Sequence, residues 1–274
     1  MKRTEARIQA WIRLSLWNAL KGRIRPLDEG EFGRSAMVFA PHPDDETLGC
    51  GGTILKKTGA GAEVWIVFVT NGERSHRHLM PENRLGMIRA GEGRAAAAAL
   101  GVPSENVIFL GLPNGRLANY REKATKGITR LLARHRPQQL FVPYRRDQNT
   151  DHCFTRSAVY AAANEASATA SVYEYPIWFW THWPWACLPR CCRREIPGRA
   201  CRGLLATARL LGQFRSATYI GDVLKRKRAV LRQYRSQMDR LIPHPDWITL
   251  RDVANGSFLK CFFREYELFS CCRV

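Results

Sequence analysis

Short apolar runs alternate with longer segments of helical periodicity between residues 36 and 175. The runs are rich in β-branched and aromatic residues, and they are Ala36–Ala40, Val64–Thr70, Val107–Leu112, Leu140–Tyr144 and Ser171–Tyr175. Continuous apolar strands separated by helices are typical of βαβ units around a buried parallel sheet. We therefore predict an α/β fold with a Rossmann-like, doubly wound and mainly parallel sheet. Right-handed crossovers give its strands an order of about 3-2-1-4-5.

The alternation stops after Tyr175, which divides the chain into three predicted parts. Residues 1–30 form a basic amphipathic helix, residues 31–175 the Rossmann-like core, and residues 176–274 an elaboration packed on that core. Within the elaboration, the apolar spacing predicts one helix over Leu224–Leu241 and a final aromatic segment over Phe258–Phe269. The aromatic stretch 176–186 fits four roles: core packing, stacking on a ligand ring, contact with a membrane, or a lid.

Polar residues follow the first and fourth predicted strands directly. Pro41-His42-Pro43-Asp44-Asp45-Glu46 comes after the first strand, and Asp147-Gln148-Asn149-Thr150-Asp151-His152 follows the fourth. Acidic residues in the first turn of a helix suit its dipole, but that accounts for one or two carboxylates and not for the histidines. Strands 1 and 4 are neighbours in the predicted order, so their carboxyl ends share the crevice where ligands bind. We therefore expect His42, Asp45 and His152 to approach one another and hold a divalent metal ion.

Charge adds a second prediction. The chain of 274 residues carries a formal net charge of +19. From Cys187 to Arg240 it has 14 Lys and Arg against three acidic residues, a local net charge of +11. Such a block favours an anionic partner. Because Trp11 and Trp17 lie among the basic residues of the N-terminal segment, that helix fits either a membrane surface or packing on the core.

Cysteine usage and hydropathy predict the compartment. Nine cysteines, an odd number that includes two adjacent pairs, are typical of a reduced chain. The sequence has neither an apolar run of about 18 residues nor a signal-peptide pattern. We therefore expect a cytoplasmic protein, with peripheral contact at the anionic inner face of the membrane.

The motifs as a set resemble the PIG-L/LmbE-like N-acetylglucosamine deacetylases. The likeness runs from about Ala36 to Tyr175, and besides the two motifs above it includes Thr70-Asn71-Gly72-Glu73, Arg89-x-x-Glu92, Leu112-Pro113-Asn114-Gly115 and a weaker echo from Lys227 to Gln237. The resemblance implies a zinc-dependent N-deacetylase with a Rossmann-like fold. Its substrate would be an N-acetylglucosamine-type sugar, such as a lipid-linked or cell-envelope glycan.

Site roles follow from the same resemblance. It implies that His42, Asp45 and His152 bind Zn²⁺ and that Asp44 is the general base. Arg89 and Asn114 are the implied substrate-binding residues, although many relatives carry Asp at the second position. Many relatives also have a histidine three residues before the last ligand, where this chain has Asn149. That asparagine is the implied oxyanion donor, and it can donate a hydrogen bond but cannot carry a proton. Other divalent metals such as Fe²⁺ suit the same ligands.

Three alternatives remain at this point. A basic chain is typical of a nucleic-acid or anionic-surface binding protein, but no nucleic-acid recognition motif is present. An oxidoreductase would bind a dinucleotide near the first strand, but Gly49, Gly51 and Gly52 do not form G-x-G-x-x-G. The third alternative is a relative that keeps a non-catalytic metal site.

Overall fold

The computed structural model describes residues 2–182, 185, 203, 205, 207–209 and 211–273, with the backbone alone for residues 2–9 and 273. Trp183 and the part of the predicted basic block from residue 187 to 202 lie outside the described residues.

A single mixed sheet organises the described part of the chain. Its strands are β1 (Arg25–Pro26), β2 (Ala36–Ala40), β3 (Val64–Phe68), β4 (Val107–Phe109), β5 (Gln139–Pro143), β6 (Ser171–Tyr175), β7 (Phe214–Tyr219) and β8 (Tyr266–Arg273). Their order across the sheet is β1-β7-β8-β6-β5-β2-β3-β4. Strands β2 to β6 pair in parallel with one another, whereas β8 runs antiparallel to both β6 and β7.

Helices connect the strands and cover both faces of the sheet. They are α1 (Lys2–Lys21), α2 (Glu29–Gly33), α3 (Asp45–Gly59), α4 (Glu82–Ala99), α5 (Arg121–His135), α6 (Thr150–Glu165), α7 (Leu224–Leu231), α8 (Arg235–Met238) and α9 (Ser257–Lys260). No helix in the described part of the chain is both long and apolar enough to cross a membrane.

Alternation along the strands produces two separate cores. In β2, Val38 packs with α3, α4 and the C-terminal segments on one face, while Met37 and Phe39 pack with α5 and α6 on the other. Every residue of β2 is buried, as expected for a central parallel strand. The α/β prediction is therefore confirmed, and the five predicted strands occur in the order 3-2-1-4-5.

The sequence did not predict three strands of this sheet. β8 adds to the free edge of β6, β7 adds to β8, and β1 from the N-terminal segment adds to β7. β8 overlaps the predicted aromatic segment only over residues 266–269, and β1 is only two residues long, so neither stands out as a separate apolar run between helices.

The predicted single helix over Leu224–Leu241 is wrong. α7 ends at Leu231, and α8 begins at Arg235 after a turn. The interruption lets two buried polar residues reach the core. The hydroxyl of Tyr234 donates to Glu46, and Ser236 donates from its backbone N–H and its hydroxyl to Glu92.

Candidate functional site

The predicted polar residues lie at the carboxyl ends of β2 and β5, which are neighbours in the sheet. Asp45 is the first residue of α3, and Asn149 caps the N-terminus of α6. A cavity of about 320 Å³ opens between these two helix starts. Six of the seven predicted site residues line it, namely His42, Asp44, Asp45, Arg89, Asn114 and Asn149. The seventh, His152, is fully buried next to them.

Three side chains form a candidate metal site in the described part of the chain. One ligand atom each from His42, Asp45 and His152 lies within 4.8 Å of the other two. Oδ2 of Asp45 is 3.2 Å from Nδ1 of His42 and 3.2 Å from Nε2 of His152. The structure thus brings together two segments that lie more than 100 residues apart.

Asp147 fixes the orientation of the His152 ring. Its Oδ2 is 2.9 Å from Nδ1 of His152 and also accepts the backbone N–H of Ile177 at 3.1 Å. With Nδ1 facing that carboxylate, Nε2 faces Asp45 at 3.2 Å but makes no hydrogen bond although it is buried. A buried imidazole nitrogen without a partner, supported from behind by a carboxylate, is typical of a metal ligand.

His42 has a comparable set of neighbours. Its Nε2 is 3.2 Å from Oδ2 of Asp151 and 2.8 Å from Nδ2 of Asn114. The same Asp151 oxygen accepts hydrogen bonds from Asn114 and from the backbone N–H of Gly115. Asn114 is therefore held against the predicted metal site through two contacts.

The electrostatics of the three side chains favour a cation between them. Burial alone would lower the pKa of His152, but the carboxylates of Asp45 and Asp147 raise it to about 10. Burial acts to raise the pKa of Asp45, yet the two histidines hold it well below its usual range. Since the carboxylates draw positive charge to this point, a divalent ion could replace the protons on the histidines.

Asp44 contacts a different partner from its neighbour Asp45. Its Oδ2 accepts a hydrogen bond from Nη2 of Arg89 at 3.2 Å, and both side chains are buried. Burial raises the pKa of Asp44 to about 7; Arg89 opposes this shift, and the negative charge of Asp45 adds to it. A carboxyl group with a pKa near neutrality suits proton transfer at neutral pH.

Arg89 also holds the loops around Asp44. Nη2 donates to the backbone oxygen of Pro43 at 2.6 Å, and Nη1 donates to that of Gly72 at 3.0 Å. Gly72 has a φ of +65°, and a Cβ there would lie 2.3 Å from Nη1, so only glycine permits this contact. Contact between Arg89 and sugar hydroxyls stays a prediction.

The side-chain amide of Asn149 uses its oxygen in a hydrogen bond to the backbone. Its Oδ1 accepts the backbone N–H of Asp151 at 2.8 Å and so caps α6. This cap leaves Nδ2 as the group that can donate a hydrogen bond into the cavity, the chemistry predicted for an oxyanion donor.

Residues after the Rossmann-like core supply the opposite wall of the cavity. The ring of Trp178 stacks on Phe258 with a centroid distance of 5.1 Å, and both residues line the cavity. His76 stacks on Trp247 at 4.3 Å and lies 2.9 Å from the backbone oxygen of Ile248, which fixes this wall. In the aromatic stretch, Trp180 and Trp185 are buried core residues, whereas Trp178 is half-buried at the cavity.

Residues 37–163 match the family model described as "PIG-L: GlcNAc-PI de-N-acetylase". This segment contains both polar motifs and all seven predicted site residues. The match covers less than half of the chain, and we call residues 37–163 the PIG-L-like segment.

Sequence relatives of the PIG-L-like segment include two deacetylases. An 86-residue segment is 44% identical to a 1D-myo-inositol 2-acetamido-2-deoxy-alpha-D-glucopyranoside deacetylase of Thermomonospora curvata, covering 28% of each chain. An 89-residue segment is 37% identical to deacetylase 2 of the same description from Catenulispora acidiphila, covering 30% of this chain and 29% of the relative. The matches thus span less than a third of these relatives.

The likeness in fold extends beyond the PIG-L-like segment in solved structures. The N,N'-diacetylchitobiose deacetylase from Pyrococcus horikoshii matches with a TM-score of 0.62 and 22% identity, over 87% of this chain and 84% of that one. At that identity the likeness is one of fold alone.

The sequence did not reveal three groups that support the predicted residues. Asp147 and Asp151 are within the second motif and could have been found from the rule that metal-binding histidines have carboxylate partners. Glu46 belongs to the first motif but is fully buried behind the cavity. Its partner Tyr234 lies outside the PIG-L-like segment, and no residue spacing connects it to Glu46.

Proposed function

We propose that this chain is a metal-dependent hydrolase that removes the N-acetyl group from an N-acetylglucosamine-type sugar. The products are acetate and a free amine. The observation that carries the proposal is that His42, Asp45 and His152 come together beside one cavity, next to Asp44, whose carboxylate pairs with Arg89 instead. The PIG-L match and the names of the sequence relatives support the reaction and the class of sugar.

Zinc is the metal we propose for this site. Two imidazoles and one carboxylate are a ligand set typical of catalytic zinc, and the buried Nε2 of His152 has no other partner. Bound zinc supplies Lewis acidity toward an amide carbonyl and lowers the pKa of coordinated water. Fe²⁺ suits the same ligands, so the metal is part of the test.

Asp44 is the proposed proton acceptor. It lines the cavity beside the metal ligands, and its buried carboxyl has a pKa of about 7, so it can take a proton from the attacking water and return it to the departing amine. Asn149 is the proposed donor to the oxyanion, through the amide nitrogen that the helix cap leaves available. Arg89 and Asn114 line the same cavity and are the proposed contacts to sugar hydroxyls.

Release of free amine from a panel of N-acetylated sugars and glycolipids tests the proposal. We expect turnover that a chelator abolishes and that added Zn²⁺ restores. Asp44→Asn should keep the bound metal but lower kcat by about 10²- to 10⁴-fold, because it removes the proton acceptor and leaves the three ligands in place. Metal content is measured on the same samples.

Asp222→Asn is the matched control, since it makes the same change at an exposed carboxylate that pairs with Lys56 on the surface. Its kcat should equal that of the unchanged chain. If Asp44→Asn retained nearly full activity, the assignment of the base would be wrong. Activity that survives complete metal removal would refute the hydrolase proposal as a whole.

We also propose that the enzyme is cytoplasmic and contacts an anionic membrane through α1. Trp17 and Leu20 bury one face of this helix against the core. Trp11 and Leu14 are 68% and 59% exposed, respectively. Exposed tryptophan and leucine on a helix of a chain with a net charge of +19 suit the interface of anionic lipids.

Co-sedimentation with liposomes of increasing anionic lipid content measures this contact. The double variant Trp11→Ala and Leu14→Ala should bind more weakly, because it removes the exposed apolar side chains and retains the charge. Met87→Ala, which removes a 70% exposed side chain from α4, should bind as the unchanged chain does. Binding of the unchanged chain that does not depend on anionic lipid would contradict the proposal.

A further inference from the structure

Asp44 has a backbone conformation that its side chain does not favour. Its φ is +128° and its ψ is −28°, whereas its neighbour Asp45 begins the regular helix α3. Residues other than glycine avoid positive φ because Cβ then clashes with the backbone, and such a conformation persists only where surrounding contacts enforce it. Some contact in the structure must therefore hold Asp44 in place.

Glu46 is hydrogen-bonded to the backbone of Asp44. Its side chain is fully buried and does not line the cavity. Its Oε2 accepts the backbone N–H of Asp44 at 3.1 Å. Its Oε1 accepts the hydroxyls of Thr47 and Tyr234. The carboxylate is thus held by two hydroxyls on one oxygen and presents the other to Asp44.

Tyr234 joins this arrangement to the C-terminal part of the chain. It is fully buried, and its hydroxyl is 2.5 Å from Oε1 of Glu46. It lies in the turn between α7 and α8, the turn that interrupts the predicted helix. Since Glu46 is the link to Asp44, a tyrosine outside the PIG-L-like segment reaches the backbone of the proposed base through one side chain.

We propose that Glu46 and Tyr234 are positioning residues for the reaction, which hold Asp44 at positive φ so that its carboxylate pairs with Arg89 beside the metal ligands. This inference rests on the proposed function, because it takes Asp44 to be the proton acceptor. The rotated backbone explains how adjacent aspartates serve different partners, with Asp45 at His42 and His152 and Asp44 at Arg89. Neither positioning residue lines the substrate cavity.

Crystal structures of two Glu46 variants test the geometry without reference to activity. Glu46→Met has similar length but no acceptor, so Asp44 should leave positive φ and lose its ion pair with Arg89. Glu46→Gln retains a carbonyl oxygen for the N–H of Asp44, while its NH₂ can donate to the oxygens of Thr47 and Tyr234. This variant should keep the φ of Asp44 and the ion pair.

Kinetics test the consequence. We expect Glu46→Met to lower kcat by about 10²-fold and Tyr234→Phe by about 10-fold, with KM and metal content unchanged, because the base is displaced while the substrate and metal contacts remain. Glu46→Gln should restore most of the kcat. A residue with a purely structural role would alter thermal stability without this separation of kcat from KM.

Tyr173→Phe is the matched control. Tyr173 is buried, and its hydroxyl also donates to a glutamate, Glu31, at 3.0 Å, but this pair lies away from the cavity. Both Tyr→Phe variants should lose similar stability in thermal unfolding, and only Tyr234→Phe should lose kcat.

The inference is overturned if Asp44 keeps its φ and its Arg89 contact in Glu46→Met. It is also overturned if Tyr234→Phe keeps the kcat of the Tyr173→Phe control. Should Glu46→Met fail to fold, the comparison of Tyr234→Phe with that control decides alone. Should the unchanged chain release no amine from any sugar, the proposed function fails, and the crystal structures still decide whether Glu46 sets the conformation of Asp44.

Discussion

At the scale of single residues, the site depends on partners that lie behind the residues facing the cavity. Asp147 supports His152, Asp151 contacts His42, and Arg89 pairs with Asp44. Each partner is buried to 97% or more, so it loses its interaction with water and must be satisfied by the group it supports. Substitution of such a partner should therefore have a large effect on the residue that it supports at the cavity.

Asp147→Asn should weaken zinc binding by about 10- to 100-fold, a loss typical for the carboxylate partner of a metal-binding histidine. The amide is neutral, so it stabilises the ring orientation of His152 less and does not raise the basicity of its Nε2. Competition with a chromophoric chelator measures the affinity. Asp222→Asn is again the surface control, and equal affinities for the two variants would contradict this role.

These partners also mark how far the sequence predicts the site. His42, Asp45 and His152 could be predicted because each directly follows or opens an element whose place in the sheet the apolar pattern determines. The contact of Tyr234 with Glu46 could not, because it depends on a turn between two short helices. No periodic pattern marks such a turn.

At the scale of elements, α3 is the helix that carries the site, and its glycines have a packing role. A Cβ on Gly49 would lie 2.3 Å from the ring of Tyr175. That ring is fully buried, and its hydroxyl donates to the backbone oxygen of Phe39 at 2.7 Å, so it cannot easily move away. Gly49, which belongs to no dinucleotide-binding motif, therefore permits α3 to lie close to the sheet.

Gly49→Ala should destabilise the fold by about 1–3 kcal/mol, the usual cost of overfilling a packed core. Gly91→Ala is the matched control in α4, where a Cβ meets nothing within 4 Å. It should stabilise the fold by about 0.5–1 kcal/mol, because alanine favours a helix more than glycine does. Urea unfolding of both variants measures the two changes in the free energy of unfolding. A stabilising effect of the Gly49 change would show that the contact with Tyr175 is not rigid.

At the scale of the whole molecule, an ion pair attaches the C-terminal segments to α3. Lys227 and Glu267 are both buried, with Nζ 2.7 Å from Oε1. Lys227 also donates to the backbone oxygen of Leu48, and Glu267 accepts the backbone N–H groups of Gly52 and Thr53. The two charges therefore bind α7 and β8 to the interior of the helix that opens with Asp45.

Lys227→Met should destabilise the fold by about 3–5 kcal/mol, because it leaves the Glu267 carboxylate buried without its cation. Lys21→Met is the control: it breaks an ion pair with Glu265 whose side chains are 39% and 56% exposed, respectively. That change should cost less than about 1 kcal/mol. Chemical denaturation provides both values, and equal losses would mean that burial does not determine the strength of the Lys227 pair.

The strands of the sheet differ in how well the sequence predicts them. Strands β2 to β6 are short apolar runs between helices, so their existence and order follow from periodicity and the right-handed crossover. The residues of β7 alternate irregularly between buried and exposed. β8 pairs antiparallel with β6 and β7, which are distant in sequence, and its register with β7 is irregular. Their positions depend on tertiary contacts such as the Lys227–Glu267 pair, which composition and spacing do not encode.

The position of β8 between β6 and β7 has a consequence for biosynthesis. Among the strands that the structure describes, β8 is made last, and β7 and β1 join the sheet through it. While the ribosome is still translating the preceding segments, β6 therefore presents an unpaired edge, which is a template for association between nascent chains. Shielding of that edge until β8 is made should therefore favour folding over association.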